Sequence, residues 1–213
     1  DAVASLYGRN NAVKLVKEIS KNIFLPITVC GGIRTIDDAR NIILSGADKI
    51  GINTAAVENP KFLTMLAKEF GSQSVVLSVE AKKKSPSTWE VFVNSGRDPT
   101  GIDVKLWIKK AVDLGIGSVF LTSIDNDGTK LGFDKELCEE VFDICEVPLV
   151  ISGGLGKMKD LKILTDNRGM NGFAAASAFH NNLLAINEIK KFLIDYKINV
   201  KNWGTYANWN NFF

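Results

Sequence analysis

Histidine is nearly missing from this sequence, with His180 the single one among 213 residues. A Ser-His-Asp triad or a histidine-based metal centre therefore has almost nothing to draw on, and neither a metal nor a cofactor is expected. Cysteine is scarce as well. Cys30, Cys138 and Cys145 show no Cys-x-x-Cys spacing and no framework of pairs, which suits a reducing compartment. Cys138 and Cys145 fall on a helical pattern, where small core residues sit. No apolar run reaches the ~18 residues of a membrane span, and no stretch reads as a signal peptide. The expectation is a cytoplasmic protein with no membrane partner. Charge of one sign is also lacking. The 26 basic and 24 acidic residues leave a net +2, too little and too evenly spread for a nucleic-acid surface. The numbering opens on Asp1 without a methionine, which reads as a piece of a longer protein or as numbering from within one.

What the sequence has is alternation. Hydrophobic residues make up 46%, enough for a sizeable core. Short β-rich runs occur at 27–30, 49–53, 75–79, 118–122, 149–151 and 172–175. Each is continuous rather than alternating, as in parallel strands covered on both faces. Helical patterns fill the gaps. Thr35-Ile36-Asp37-Asp38 reads as a capping box, with Gly46 as the stop. Asn59-Pro60 reads as a cap followed by a first-turn proline, and Gly71 as the end of that helix. Asp103 and Asp134 each open a further helix, and a last one is expected over about 182–196.

Strand–helix alternation implies a parallel sheet, either open and doubly wound or closed into a barrel. A repeat favours the barrel. Pro26-Ile27-Thr28-Val29-Cys30-Gly31-Gly32-Ile33 matches Pro148-Leu149-Val150-Ile151-Ser152-Gly153-Gly154-Leu155, an offset of 122 (148 against 26). One strand later Asn53-Thr54 answers to Ala176-Ser177. Two similar halves fit a (β/α)₈ TIM barrel. At 213 residues the chain is short of the usual ~250. It is expected to lack the first strand and most of the second, leaving strands 2 to 8 over residues 1–200 and an aromatic, Asn-rich tail over 201–213.

The chemistry concentrates at strand ends. Glycine pairs there let the main chain approach a ligand, and successive N–H groups attract phosphate. Two such pairs, each followed by a small polar residue (Thr54, Ser177), suit a substrate with a phosphate at both ends. Glu80 follows a largely apolar five-residue strand run at its C-terminal end, which is the catalytic face of a barrel. Thr122 and the run Asp125-Asn126-Asp127-Gly128-Thr129-Lys130 form another polar strand end.

These segments, with 29–34, 46–53, 152–154 and 175–180, resemble the cyclase subunit family of imidazole glycerol phosphate synthase, in register over roughly residues 1–199. The sister isomerase family shares the fold, but its equivalent of Leu121-Thr122-Ser123 differs. The resemblance implies a lyase of histidine biosynthesis. It would use ammonia from a glutaminase partner to split a phosphoribulosyl formimino aminoimidazole carboxamide nucleotide into imidazole glycerol phosphate and aminoimidazole carboxamide ribotide.

By resemblance, Gly32, Asn53 and Thr54 belong to one phosphate site, and Asp127, Gly128, Gly154, Ala176 and Ser177 to the other. Asp1, Thr122 and Ser152 line the pocket. Asp48 faces the partner, and Lys49 joins the charged ring where ammonia comes in. Glu80 stands where the family has a catalytic aspartate, its companion lying on the first strand. Cys30 replaces a glycine of the first phosphate loop, and Ser118 a glutamate of the ring. Those departures keep two alternatives open. One is a paralogue that works with a glutaminase to amidate another substrate, such as a surface-polysaccharide sugar. The other is a non-catalytic barrel that binds a phosphorylated ligand.

Overall fold

The computed structural model describes residues 12–164, 170–198 and 200. Asp1 and the 201–213 tail lie outside these residues.

The first described element is helix α1 (Ala12–Ile19). Strand β1 (Thr28–Cys30), helix α2 (Ile36–Leu44), strand β2 (Lys49–Ile52), short helix α3 (Thr54–Glu58) and helix α4 (Lys61–Phe70) follow. Next come β3 (Val75–Ser85), β4 (Thr88–Val93), β5 (Asp98–Asp103), α5 (Val104–Asp113), β6 (Ser118–Ser123), α6 (Lys135–Phe142) and β7 (Leu149–Ser152). A 3₁₀ stretch (Met158–Leu164), β8 (Met170–Ala174), α7 (Ser177–His180) and α8 (Ile186–Asp195) complete the series.

The strands form one sheet in the order β1-β2-β3-β6-β7-β8, all parallel, with the β4–β5 hairpin running antiparallel off β3. The chain is a partial (β/α)₈ barrel. Six parallel strands are described where the sequence reading counts seven, and residues 1–11 lie outside the described set.

Local chemistry sets the helix starts. Thr35 Oγ1 accepts the Asp38 amide at 3.1 Å while Asp38 Oδ2 accepts the Thr35 amide at 2.9 Å, a reciprocal box. Asp103 and Asp134 cap α5 and α6 by accepting the amides of Leu106 and Leu137, each at 3.0 Å. Asn59 is non-helical (φ −139°, ψ 88°) and Pro60 already helical (φ −57°, ψ −30°), the order of cap and first-turn proline that was expected, although Asn59 makes no side-chain cap bond. One expectation is corrected. The final helix, expected from about 182, begins only at Ile186, and Asn182 with φ of 52° lies outside any right-handed helix.

The antiparallel β4–β5 hairpin is the element the sequence reading missed. Trp89 and Val91 are buried on one face of β4, which packs against α5. Trp89 Nε1 donates to Asp134 Oδ2 at 3.2 Å, and Ser123 Oγ donates to the same oxygen at 3.1 Å. Asp134 thus ties the hairpin, the end of β6 and the start of α6 together. The core lies between sheet and helices. On β3, Val75, Leu77 and Val79 are fully buried toward the helices, which leaves Ser78 and Glu80 on the concave face.

Candidate functional site

Parallel strands run to one side, so residues following β1 and β2 converge there with inward-facing residues of β3 and β6. They line a cavity of about 230 Å³ that includes Gly31, Gly32, Asn53, Thr54, Ser78, Glu80, Phe120 and Thr122. Gly31 and Gly32 have φ of 102° and 71°, a conformation that favours glycine and turns the chain over the cavity. Register builds a polar row across neighbouring strands. Glu80 pairs with Thr122 on β6, and Thr122 with Ser152 on β7, so all three project from the same face. Four sequence-predicted residues (Gly32, Asn53, Thr54, Glu80) are thereby brought together with the pocket position Thr122.

Glu80 is held by two donors. Asn53 Nδ2 reaches its Oε2 at 2.7 Å, and the Gly96 amide reaches the same atom at 2.9 Å. Burial pushes its carboxyl above the usual range. The two hydrogen bonds pull the other way, and the charge of Asp127 adds to the rise. Asn53 Nδ2 also donates to the Phe92 carbonyl at 3.0 Å, which fixes the amide's orientation. Its Oδ1 is then buried without a partner among the described residues.

Cys30 lines the same cavity, its thiol raised by burial. It fits because Gly51 opposite has no side chain. A Cβ there would lie 2.1 Å from Cys30 Sγ.

The second phosphate set is arranged differently. A Cβ on Gly153 would come within 3.5 Å of the Asp127 main chain, and one on Gly154 within 2.0 Å of the Gly132 carbonyl. That glycine pair is packed against the loop after β6, so part of its reason is steric. Asp127 and Gly128 are exposed on that loop, while Ala176 and Ser177 come after β8, the neighbour of β7. None of these residues lines the cavity of the first set.

At the opposite end, Asp48 Oδ2 accepts the Ile27 amide at 2.7 Å, tying the start of β1 to β2, and Lys49 is half-buried. Phe24 and Leu44 at that end are 89% and 77% exposed. Ser118 is buried there at the start of β6. Among the described residues no three His, Cys, Asp or Glu side chains converge to hold a metal, and no helix is long and apolar enough to cross a membrane.

Sequence reasoning missed Asn94, Ser95 and Gly96, the turn between β4 and β5. Ser95 lines the cavity and Gly96 bonds Glu80. The signal was present in Trp89-Glu90-Val91-Phe92-Val93, a strand pattern running into a turn-forming Asn-Ser-Gly.

Comparison with known proteins agrees with this geometry. A family model described as histidine biosynthesis protein matches residues 1–185. A protein of Legionella pneumophila named imidazole glycerol phosphate synthase subunit HisF is 49% identical over 160 residues, 75% of this chain and 76% of its own length. Proteins of the same name from Dictyoglomus thermophilum and Streptococcus mutans are 45% and 38% identical. These alignments cover 91% and 94% of this chain and 76% and 80% of the relatives. With the family model spanning most of the sequence and a barrel mouth built from its strand ends, the chain belongs to the histidine biosynthesis protein family.

Proposed function

We propose that this chain is the cyclase subunit of imidazole glycerol phosphate synthase, a lyase that uses ammonia to convert the phosphoribulosyl formimino nucleotide into imidazole glycerol phosphate and aminoimidazole carboxamide ribotide. The observation that carries the reading is Glu80. It is a half-buried carboxyl at the C-terminal mouth, raised by burial, held by two donors and facing a cavity at the first glycine pair. A carboxyl poised nearer neutrality can both give and accept a proton, as general acid–base work requires.

Gly32, Asn53 and Thr54 form the site for one phosphate. Asp127, Gly128, Gly154, Ala176 and Ser177, on the loops after β6, β7 and β8, form the other. Thr122 and Ser152 lie in the row between them and orient the nucleotide's middle. At about 230 Å³ the cavity is smaller than the ~300–1,000 Å³ of sites that enclose a whole small molecule. It therefore receives one end of the substrate and leaves the rest along the mouth.

The glutaminase that releases ammonia docks on the N-terminal face around Asp48 and Lys49. The exposed Phe24 and Leu44 supply apolar area there. The protein works in the cytoplasm.

The test is turnover of the nucleotide by the complete protein with ammonium salt, then with glutamine and the co-expressed glutaminase. Imidazole glycerol phosphate should form in both. No product from either nitrogen source would reject the cyclase reading and favour a paralogue acting on another substrate.

A further inference from the structure

The turn between β4 and β5 has no part in closing the barrel, yet it reaches into the mouth. Asn94, Ser95 and Gly96 take left-handed φ of 53°, 61° and 73° in succession, an uncommon arrangement for the two that carry side chains. The contacts it makes run to the site. The Asn94 amide donates to Thr54 Oγ1 at 3.1 Å and the Gly96 amide to Glu80 Oε2 at 2.9 Å. The same hairpin offers the Phe92 carbonyl on which Asn53 is anchored.

A glutamate has three side-chain torsions, and a half-buried carboxylate without partners would sample several of them. Here Asn53 approaches Oε2 from the end of β2, and Gly96 approaches it from the hairpin. Two donors from two directions fix the group. Oε2 is occupied by them, and Oε1 has no partner among the described residues, so it is the oxygen left for the cavity.

We propose that the main-chain amide of Gly96 is a positioning group for the cyclase reaction, holding Glu80 Oε2 so that Oε1 meets the substrate. This rests on Glu80 being the acid–base group of that reaction. The amide acts through Glu80 and need not touch substrate itself.

The contact comes from the main chain, so the test removes an atom of the main chain. Replacing residue 96 by glycolic acid in the complete protein exchanges the amide for an ester and deletes the N–H. Glu80 is followed by the side-chain carboxyl signal of carbon-13-labelled glutamate, assigned by its disappearance in Glu80→Gln. Losing a donor to the ionised form should raise the Glu80 titration midpoint by about one pH unit. It should also lower kcat with ammonia by ~10-fold or more, with KM within about twofold.

The same ester at residue 97 removes an amide that donates to the Val93 carbonyl at 3.1 Å. It disturbs the turn without touching Glu80, so its titration should stay put. Gly96→Ala keeps the amide, and although its φ of 73° strains a residue with a Cβ, that Cβ would meet only Ile124 side-chain carbons at 3.4 Å and beyond. It too should leave the midpoint in place. An unmoved midpoint in the residue-96 ester, or an equal shift from the residue-97 ester, would overturn the proposal. A shifted midpoint with no nucleotide turnover in any form would retain the positioning contact and reject the cyclase reading. If the ester does not fold, exchange of the Gly96 amide with deuterium decides. Protection that disappears in Glu80→Ala supports the contact, and protection that persists overturns it.

Discussion

Exchanging Glu80 for glutamine and for aspartate separates its chemical role from its structural one. Glutamine keeps the length and one carbonyl oxygen, so Asn53 Nδ2 and the Gly96 amide retain an acceptor at about the same place. What it loses is the proton. Turnover should fall by ~10²-fold or more, the usual worth of a positioned acid or base, while the fold is kept.

Melting against pH adds a signed check. The folded Glu80 carboxyl lies above its ordinary range, chiefly through burial. Between an unfolded value of ~4.3 and that higher folded value, the native state binds more protons than the unfolded one. Stability therefore falls as pH rises across the window. The contribution is complete below the unfolded value and gone above the folded one. Glutamine does not titrate, so Glu80→Gln should gain on the original protein as pH climbs from about 4 toward neutrality.

Aspartate tests geometry. From the family resemblance alone, it should serve at least as well as glutamate. The hydrogen bonds argue the reverse. Removing a methylene draws the carboxylate back by about 1 Å, a displacement that can cost ~10²-fold in rate. It also takes bonds of 2.7 and 2.9 Å beyond the ~3.2 Å limit. Asn53 keeps the Phe92 carbonyl, but the Gly96 amide is stranded at about 1–3 kcal/mol. For a chain of this size that lowers Tm by roughly 2–12 °C. Product formation with ammonium salt, together with melting from pH 4 to 8, reads all of this. A Glu80→Asp protein that turns over as fast as the original and melts no lower would refute the reasoning.

Gly51→Ala should destabilise by about 1–3 kcal/mol, because its methyl would meet Cys30 Sγ at 2.1 Å. Adding Cys30→Gly should restore part of the loss in a double-mutant cycle by denaturant melts, and strict additivity would show that the two do not share the space. Asp134→Ala should cost about 2–4 kcal/mol, since it removes a helix cap and the acceptor of both Trp89 Nε1 and Ser123 Oγ. Loss of near-ultraviolet signal from Trp89 before global unfolding would check that the hairpin loosens first.

Much of this architecture is readable from local signals because local chemistry decides it. Thr35-x-x-Asp38, Asp103 and Asp134 cap helices through contacts within a few residues, so the sequence states them directly. Strand positions are legible in continuous apolar runs for the same reason. The hairpin was missed because it breaks the alternation on which the barrel reading rests. The later start of α8 goes with Asn182 adopting a positive φ, which composition does not announce. At the site, the end of β2 and Glu80 could be named from their places at strand ends, but not their bond, which spans residues 53 and 80 and exists only once β2 and β3 pair. The Gly153–Gly154 pair is instructive in the other direction. Its match to Gly31–Gly32 suggests equal roles, whereas the Gly132 carbonyl fills the space a side chain would take at Gly154.

The turn at Asn94, Ser95 and Gly96 constrains this protein's future variation in an unusual way. Its contribution to Glu80 is an N–H that nearly every residue possesses, yet the φ of 73° at position 96 strains any residue with a Cβ and so favours glycine. Chain length is another matter. Each residue added to or removed from a strand shifts its downstream neighbours by ~3.3 Å and turns them to the other face. A residue added within β4 would therefore turn Val93 and the start of the turn to the other face and carry the Gly96 amide away from the carboxylate. Substitution scans would find position 96 costly through backbone strain, and insertions or deletions in β4 would break the contact as well.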